Sequence, residues 1–452
     1  MLPHPLLATA LKYIFAKMTA IHNFQIGAWQ RQFLTELFQV LLRMRGRVNF
    51  TNMARYSAFS EQTFRRHFQK AFRWVTLNLT ILRLRRHPKE ALIGVFDCTF
   101  VPKSGTESYG LGRFFSSAAG RTERGQEVSI LGVVATKSRE AFGIDATQTP
   151  AGLCSSTSAK ERSSKAYSAK AYSAKAYSAK AYSAKAYSAK AYSAKAYSAK
   201  AYSSVDFYIE QMQDLHGPLA EMGVSYWVGD GFYAKRKVFE AITEMGGDLI
   251  TRLRSDANLR YLYTGPRKTG PGAPKRYDGK ITFDRADQIE DRFEEIGRLP
   301  DRTHVEIWTT VANSPHFKRN LRIVLLRNRK TGHVLLLCST DTEQEAEEVV
   351  RYYRLRYQIE FVIRDAKQHT GLTHCQARSQ EKIDFHLNMS VAGVNLLRLM
   401  AGKAGCSLRT YRILAYNRFL AGRLFSELGL SGEWSLSDRE VQPVLETGQM
   451  AT

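Results

Sequence analysis

The chain has 452 residues, 44% of them hydrophobic, enough for two or three domains and a sizeable core. Its apolar runs, such as 322–326 and 333–338, are too short to cross a bilayer, and the stretch from Met1 to Lys17, broken by His4 and Lys12, lacks signal-peptide order, so a cytoplasmic location is expected. A net charge of +24 suits a polyanionic partner, nucleic acid first, and five scattered cysteines without CxxC spacing suggest neither a zinc ribbon nor a disulfide framework.

Residues 1–85 read as helical. The run 31–44 is amphipathic at helical period. A short helix at 50–57 and a turn at 58–60 follow, and Ser60 is placed to cap a helix over 61–72. On that helix Phe64, Phe68 and Phe72 share a face with His67 and Ala71, while Arg65, Arg66 and Lys70 point elsewhere. This is the layout of a helix-turn-helix whose second helix enters the major groove, with Arg65, Arg66 and Lys70 as candidate DNA contacts. The plainer alternative is a basic helical hairpin.

From about residue 90 the pattern changes. Buried-strand runs lie at 91–100, 128–136 and 141–149. From Ala166 to Lys200 the chain then repeats AYSAK seven times. Five residues overshoot a helical turn by about 140°, and an odd period alternates faces in a strand, so neither form gives a buried stripe. A solvated, lysine-rich loop is expected. Subtracting its eight lysines, Lys165 to Lys200, from +24 still leaves +16. Beyond it come a helix (205–223), a strand (225–230), a helix (234–247) and a strand (248–263), an α/β layered order. Residues 264–340 hold a Pro/Gly loop and short β-like runs, a β-rich insertion. Thr342 and Glu345 fit a capping box for a helix running to about 369, and a second helix covers 383–401. The tail after 430 is polar.

The most specific signal lies at 351–367. Tyr353, Arg356, Glu360 and Lys367 are spaced by 3, 4 and 7 residues. At about 100° per residue they fall within about 60° of one helix face. Such a stripe sets one carboxylate among phosphate-binding groups; a solvated face with an internal Arg–Glu pair is the alternative. Asp97 and Asp230 each end an apolar run, where ligand sites gather in α/β sheets. Singly, Asp230-Gly231 also reads as a turn and Asp97 as a loop cap.

Together these segments resemble the DDE transposases of insertion-sequence family four, the branch marked Y-(2)-R-(3)-E-(6)-K. Tyr353, Arg356, Glu360 and Lys367 match that signature at every spacing. Asp97, with Thr99, matches the first acid, and Asp230, followed by Gly231, Phe232 and Tyr233, the second. The resemblance spans roughly 50–430, and the AYSAK array departs from it. It implies an α/β, ribonuclease-H-like catalytic core with a β-rich insertion, preceded by an all-α, helix-turn-helix-like domain. The expected division is 1–85 helical DNA-binding domain, 86–263 first part of the core (with 162–203 as low-complexity insertion), 264–340 insertion, 341–405 last part of the core, and 406–452 helical region and tail.

The resemblance also implies a chemistry. Three carboxylates packed together repel unless a cation neutralises them. Mg²⁺ prefers oxygen ligands, and two such ions about 3.5–4 Å apart can drive an in-line displacement at phosphorus. Asp97, Asp230 and Glu360 are the expected catalytic and metal-binding residues, with two Mg²⁺ ions, Mn²⁺ as a substitute, and Tyr353, Arg356 and Lys367 on DNA phosphates. The expected activity is cleavage and strand transfer of an insertion sequence, with terminal inverted repeats and target DNA as partners and a homodimer in the DNA complex. The alternatives are a catalytically decayed, transposase-derived DNA-binding protein and a metal-dependent DNA nuclease. Trp308 reads as a buried strand residue before a base-stacking one, and the glycines of 110–112 do not follow a strand and open a helix, which argues against a dinucleotide site.

Overall fold

The structure, a computed structural model, describes residues 3–22, 24–153, 202–266, 273–283, 286–429 and 447. The AYSAK array lies outside the described residues, as does nearly all of the tail after 430.

The N-terminal helices are α1 (Pro3–His22), α2 (Ala28–Arg43), α3 (Phe50–Arg55), α4 (Glu61–His67) and α5 (Trp74–Arg85). Then come β1 (Leu92–Pro102), β2 (Gly112–Ser116), β3 (Arg121–Ala135), β4 (Ala141–Gln148), α6 (Ser204–Ala220), β5 (Val224–Val228), α7 (Arg236–Glu244) and β6 (Asp248–Leu253). The third block holds β7 (Arg260–Leu262), β8 (Tyr277–Lys280), α8 (Ala286–Arg292), β9 (Glu294–Leu299), β10 (Arg302–Ser314), β11 (Arg319–Asn328) and β12 (Val334–Ser339). The chain closes on α9 (Ala346–Leu355), α10 (Gln358–His369), α11 (Gln380–Lys403) and α12 (Leu408–Glu427).

The strands form one mixed sheet in the order β2-β3-β1-β5-β6-β12-β11-β10-β7-β8, with β4 on β3 and β9 on β10. Among the described residues only β1–β5 and β5–β6 pair in parallel. The expected β-rich insertion is thus no separate layer: β12 pairs antiparallel with β6 and carries the sheet onward. The single strand expected over 248–263 is two, because the intervening 254–259 turns away and β7 pairs with β10 instead. Strand β2 was missed, since its alternating, half-exposed pattern is short and glycine-led.

Period-two alternation sorts β1 between two cores. Leu92 and Phe96 face the side filled by Tyr208, Met212 and Leu215 of α6 and by Val238 and Phe239 of α7. Ile93 and Val95 face the other side, against Val349 and Val350 of α9, Ile359 and Val362 of α10 and Val391 of α11. The next residue of that parity is Asp97. Segment 1–85 does not close on its own core: Phe33, Phe38, Phe64, Phe68 and Trp74 share one with Phe385, Met389 and Leu396 of α11 and Tyr411 of α12.

Two local expectations need correction. Helix α4 ends at His67 rather than at 72, and the following turn carries Lys70 and Phe72 outside it; Phe72 packs edge-on against Trp74 at 4.7 Å. The helix expected over 341–369 is two. The Thr342–Glu345 capping box does not form; the Thr342 hydroxyl donates to Glu343 at 3.2 Å and α9 starts after Glu345. Arg356 and Tyr357 then interrupt the spiral with i→i+3 bonds: Tyr357 N to Arg354 O at 3.3 Å and Ile359 N to Arg356 O at 3.1 Å.

Candidate functional site

Parallel register sets two of the acids level. The last β1–β5 pair is Val95 with Val228, so Asp97 and Asp230 each stand two residues beyond it. Strand β1 continues to Pro102, paired only with β3, whereas β5 stops and the chain turns at Gly229–Asp230. Asp97 therefore lies mid-strand, at the end of the parallel pairing rather than of the strand. Asp230 caps a single 3₁₀ turn over 231–233, accepting from Phe232 N at 2.9 Å, and its carbonyl accepts from the Thr251 hydroxyl at 2.8 Å.

The third acid arrives on α10. Its neighbour Ile359 is fully buried against β3 at Gly132, where an added Cβ would stand 2.5 Å from Ile359 Cδ1. Only a missing side chain lets the helix approach that closely. Glu360 lies in the first turn of α10, where the helix dipole attracts negative charge. Arg356, the residue closing α9, reaches Glu360 at 3.2 Å and Asp97 at 3.9 Å. The i, i+4 Arg–Glu pair of the plain reading is present, but it extends to an acid of the sheet.

The charged groups also feel one another. Burial raises the Asp97 carboxyl to about 6, and the negative charges of Asp230 and Glu360 add to it; the Cys98 amide bond (2.8 Å) and Arg356 oppose. Tyr353 is raised by burial, with Arg356, Arg252 and Asp230 all within electrostatic reach. The Lys367 ammonium is lowered by burial and partly restored by Asp97; it donates to the Phe100 carbonyl at 3.4 Å. The six motif residues are thus linked to one another, Asp97 and Glu360 by ion pairs with Arg356 and the others by electrostatic influence, despite the break at 356–357. Arg252, exposed on β6, also acts on Tyr353 and was missed; the exposed polar position in an otherwise buried strand was the available signal.

Does this set suit a divalent cation? The donors are three carboxylates from three elements, and the nearby thiol of Cys98 is turned to the Tyr233 hydroxyl at 3.4 Å. Hard oxygen donors, one of them raised mainly by burial and further by its acidic neighbours, are the chemistry that suits a Mg²⁺-class ion. Among the described residues no group of three or more acidic, histidine or cysteine side chains stands close enough together to hold a metal ion, and Asp97, Asp230 and Glu360 are no exception. Arg356 occupies the interval between Asp97 and Glu360 and supplies the positive charge there.

The N-terminal candidates make none of the contacts given for the motif residues. Arg65, Arg66 and Lys70 are exposed. Ser60 does cap α4, accepting from Thr63 N at 3.3 Å. Arg65 is committed to an i, i+4 ion pair with Glu61 and covers the Phe50 ring at 5.1 Å. Trp308 is buried, 6% exposed, with its ring nitrogen on Glu306 at 3.4 Å, which removes it from base stacking.

A family model described as DDE superfamily endonuclease matches residues 24–313, well over half of the chain. The chain belongs to that family. The matched span includes Asp97 and Asp230 and stops before Glu360. A comparison with curated proteins found no match. For a DDE superfamily endonuclease the substrate is DNA, and such domains generally use divalent metal ions. Among the described residues no helix is long and apolar enough to cross a membrane.

Proposed function

We propose that this endonuclease is a transposase of the insertion-sequence-four type, which cuts element ends and joins them to target DNA. The observation that carries the reading is the meeting of Asp97, Asp230 and Glu360 at one mouth with Tyr353, Arg356 and Lys367 around them. The three antiparallel strands β4, β3 and β1, continued in parallel by β5 and β6 and covered by helices on both faces, support a ribonuclease-H-like core.

Asp97, Asp230 and Glu360 would hold divalent cations, Mg²⁺ or Mn²⁺; bound there, such ions neutralise developing charge and activate an attacking oxygen. The chain's own groups do the rest. Arg356 presents a planar, bidentate donor to a phosphate, and Lys367 a point charge from the same side. Tyr353, a phenol that burial pushes further above its ordinary range, offers a hydroxyl hydrogen bond. The exposed Arg65, Arg66 and Lys70 hold the duplex from the N-terminal helices, and two element ends are joined within a homodimer.

The test is direct. Purified chain is incubated with DNA bearing the element's terminal inverted repeats, Mg²⁺ and a target plasmid. Joined products support transposition. Cuts without joining point to a nuclease, and binding alone to a catalytically decayed form. Asp97→Ala keeps end binding and loses cleavage; full cutting by that variant refutes the assignment.

A further inference from the structure

Some arginines on this surface are neutralised locally: Arg236 by Glu240 at 2.6 Å, Arg351 by Glu348 at 2.8 Å, Arg254 by Asp256 at 2.9 Å. One group without such partners is gathered in one place. It starts at Lys103, just past the end of β1 and of the same parity as Asp97. Lys103 Nζ donates to the Cys375 carbonyl at 2.5 Å. The adjacent His374 accepts from Val48 N at 3.1 Å, which brings the loop of Arg45 and Arg47 alongside. From that loop the Met44 carbonyl accepts from Arg412 of α12 at 3.2 Å. Lys367 reaches the Phe100 carbonyl three residues before Lys103, so the contacts run unbroken from the acidic mouth to α12.

The groups on this route share one field, in which Lys103, Arg45, Arg47 and Arg412 carry the charge and His374, its Nδ1 taken up by Val48 N, is a neutral polar group. Burial lowers His374, and Arg47, Arg412 and Lys103 lower it further. Burial lowers Arg412 to about 10, with Arg45 adding to it. Among the described residues none of Arg45, Arg47, Lys103 and Arg412 has a carboxylate within ion-pair distance, and the buried Nε of Arg412 has no hydrogen-bond partner. The Arg45–Gly46–Arg47 turn is nonetheless built. Asn52 Nδ2 donates to the carbonyls of Arg45 (2.7 Å) and Arg47 (2.9 Å), and Gly46 takes φ 81°. The Arg45 guanidinium lies 4.4 Å over the Tyr416 ring. Like charges gathered without counter-charges repel one another; a polyanion lying along them removes that cost.

We propose that Lys103, His374, Arg47, Arg45 and Arg412 form a phosphate track that leads the bound DNA backbone away from the acidic mouth, past Lys367, to α12. The inference rests on DNA being the substrate. It adds a second binding surface, distinct from Arg65, Arg66 and Lys70 and from the motif residues.

The experiment measures binding of the full chain to a labelled duplex of arbitrary sequence, by anisotropy, from about 50 to about 200 mM salt. The variant is Arg45→Ala with Arg47→Ala; both side chains are exposed, and the turn is held through backbone atoms. A matched control, Lys89→Ala with Lys137→Ala, removes two exposed lysines at the opposite end of β1. The track variant should flatten the log–log salt slope by roughly 1.8, about 0.9 per lost phosphate contact, and the control should not. Arg45→Lys with Arg47→Lys should restore the slope. A track variant with the parent slope and affinity overturns the proposal, as does a control that loses as much. A parent chain that binds no DNA sinks the substrate reading itself, and the track with it.

Discussion

Gly132→Ala tests whether the third acid is placed by close packing of α10 on β3. The new Cβ would stand 2.5 Å from Ile359 Cδ1 and 2.7 Å from the Phe142 carbonyl oxygen. That oxygen belongs to β4, whose pairing with β3 (Val133 with Phe142) fixes it. The backbone contact therefore strains the β3–β4 pairing itself, and whatever part of the Ile359 contact its side chain does not relieve by turning falls on the helix, up to a shift of about 1 Å to reach ordinary carbon contact at about 3.5 Å. Overpacking of this kind costs about 1–3 kcal/mol. A displacement of about 1 Å in a positioned catalytic group can cost on the order of 10²-fold in rate. The variant should thus lose far more DNA cleavage than stability. Ile359→Val removes the clashing Cδ1 and alone costs about 0.5–1.5 kcal/mol. The double variant should be more stable than the two single losses added together, and should recover part of the cleavage. Denaturant unfolding of the four proteins and single-turnover cleavage provide the measurements. Additive losses, or full activity in Gly132→Ala, would show that the glycine does not position Glu360.

Three further outcomes are expected. His386 is buried, its Nε2 donates to the Gly371 carbonyl at 2.7 Å, and burial, with Lys103 and His374, lowers it to about 4. Its folded value lies below the unfolded 6.5, so its stabilising share is full above about pH 6.5 and falls as pH drops towards 4. The total is about 3 kcal/mol at 1.36 kcal/mol per unit, and His386→Gln should flatten that limb of the pH–melting curve. Asn395→Leu leaves Gly143 N and O and Asn78 Oδ1 without their buried partners, and should cost about 3 kcal/mol or more in denaturant unfolding. Chelation by EDTA should abolish cleavage while leaving duplex binding measurable by anisotropy, and Mn²⁺ should restore the cutting.

The site was legible because two of its acids end apolar runs and the third sits in a spaced motif. Parallel strands with matched register bring such positions level wherever the intervening chain leads. The break at 356–357 was not legible. Both residues keep right-handed helical angles, φ −48° and ψ −37° at Arg356, φ −59° and ψ −18° at Tyr357, and neither is a breaker residue. Only the switch to i→i+3 bonding marks the bend. The length of α4 was misjudged for a related reason. The phenylalanine spacing continues past its end, and Phe72 serves the aromatic cluster around Trp74 without being helical.

The tie between the two chain ends was hidden more deeply. Residues 383–401 read as one helix, in which nothing singled out Asn388 and Asn395. In the fold they face β4, which pairs with β3 alone and would otherwise leave an open edge. Asn388 accepts from Ala146 N at 3.1 Å and donates to its carbonyl at 2.9 Å. Asn395 does the same at Gly143 and also donates to Asn78 of α5, whose own amide donates to the Ile144 carbonyl at 2.9 Å. Side-chain amides thus stand in for a missing strand, satisfying backbone groups that cannot be buried unpaired. The same helix lends Phe385 and Leu396 to the core of the N-terminal helices and Val391 to the core beneath Glu360. Helix α5, strand β4 and helix α11 are thus tied by direct hydrogen bonds, and α11 belongs at once to the core of the N-terminal helices and to the core beneath Glu360.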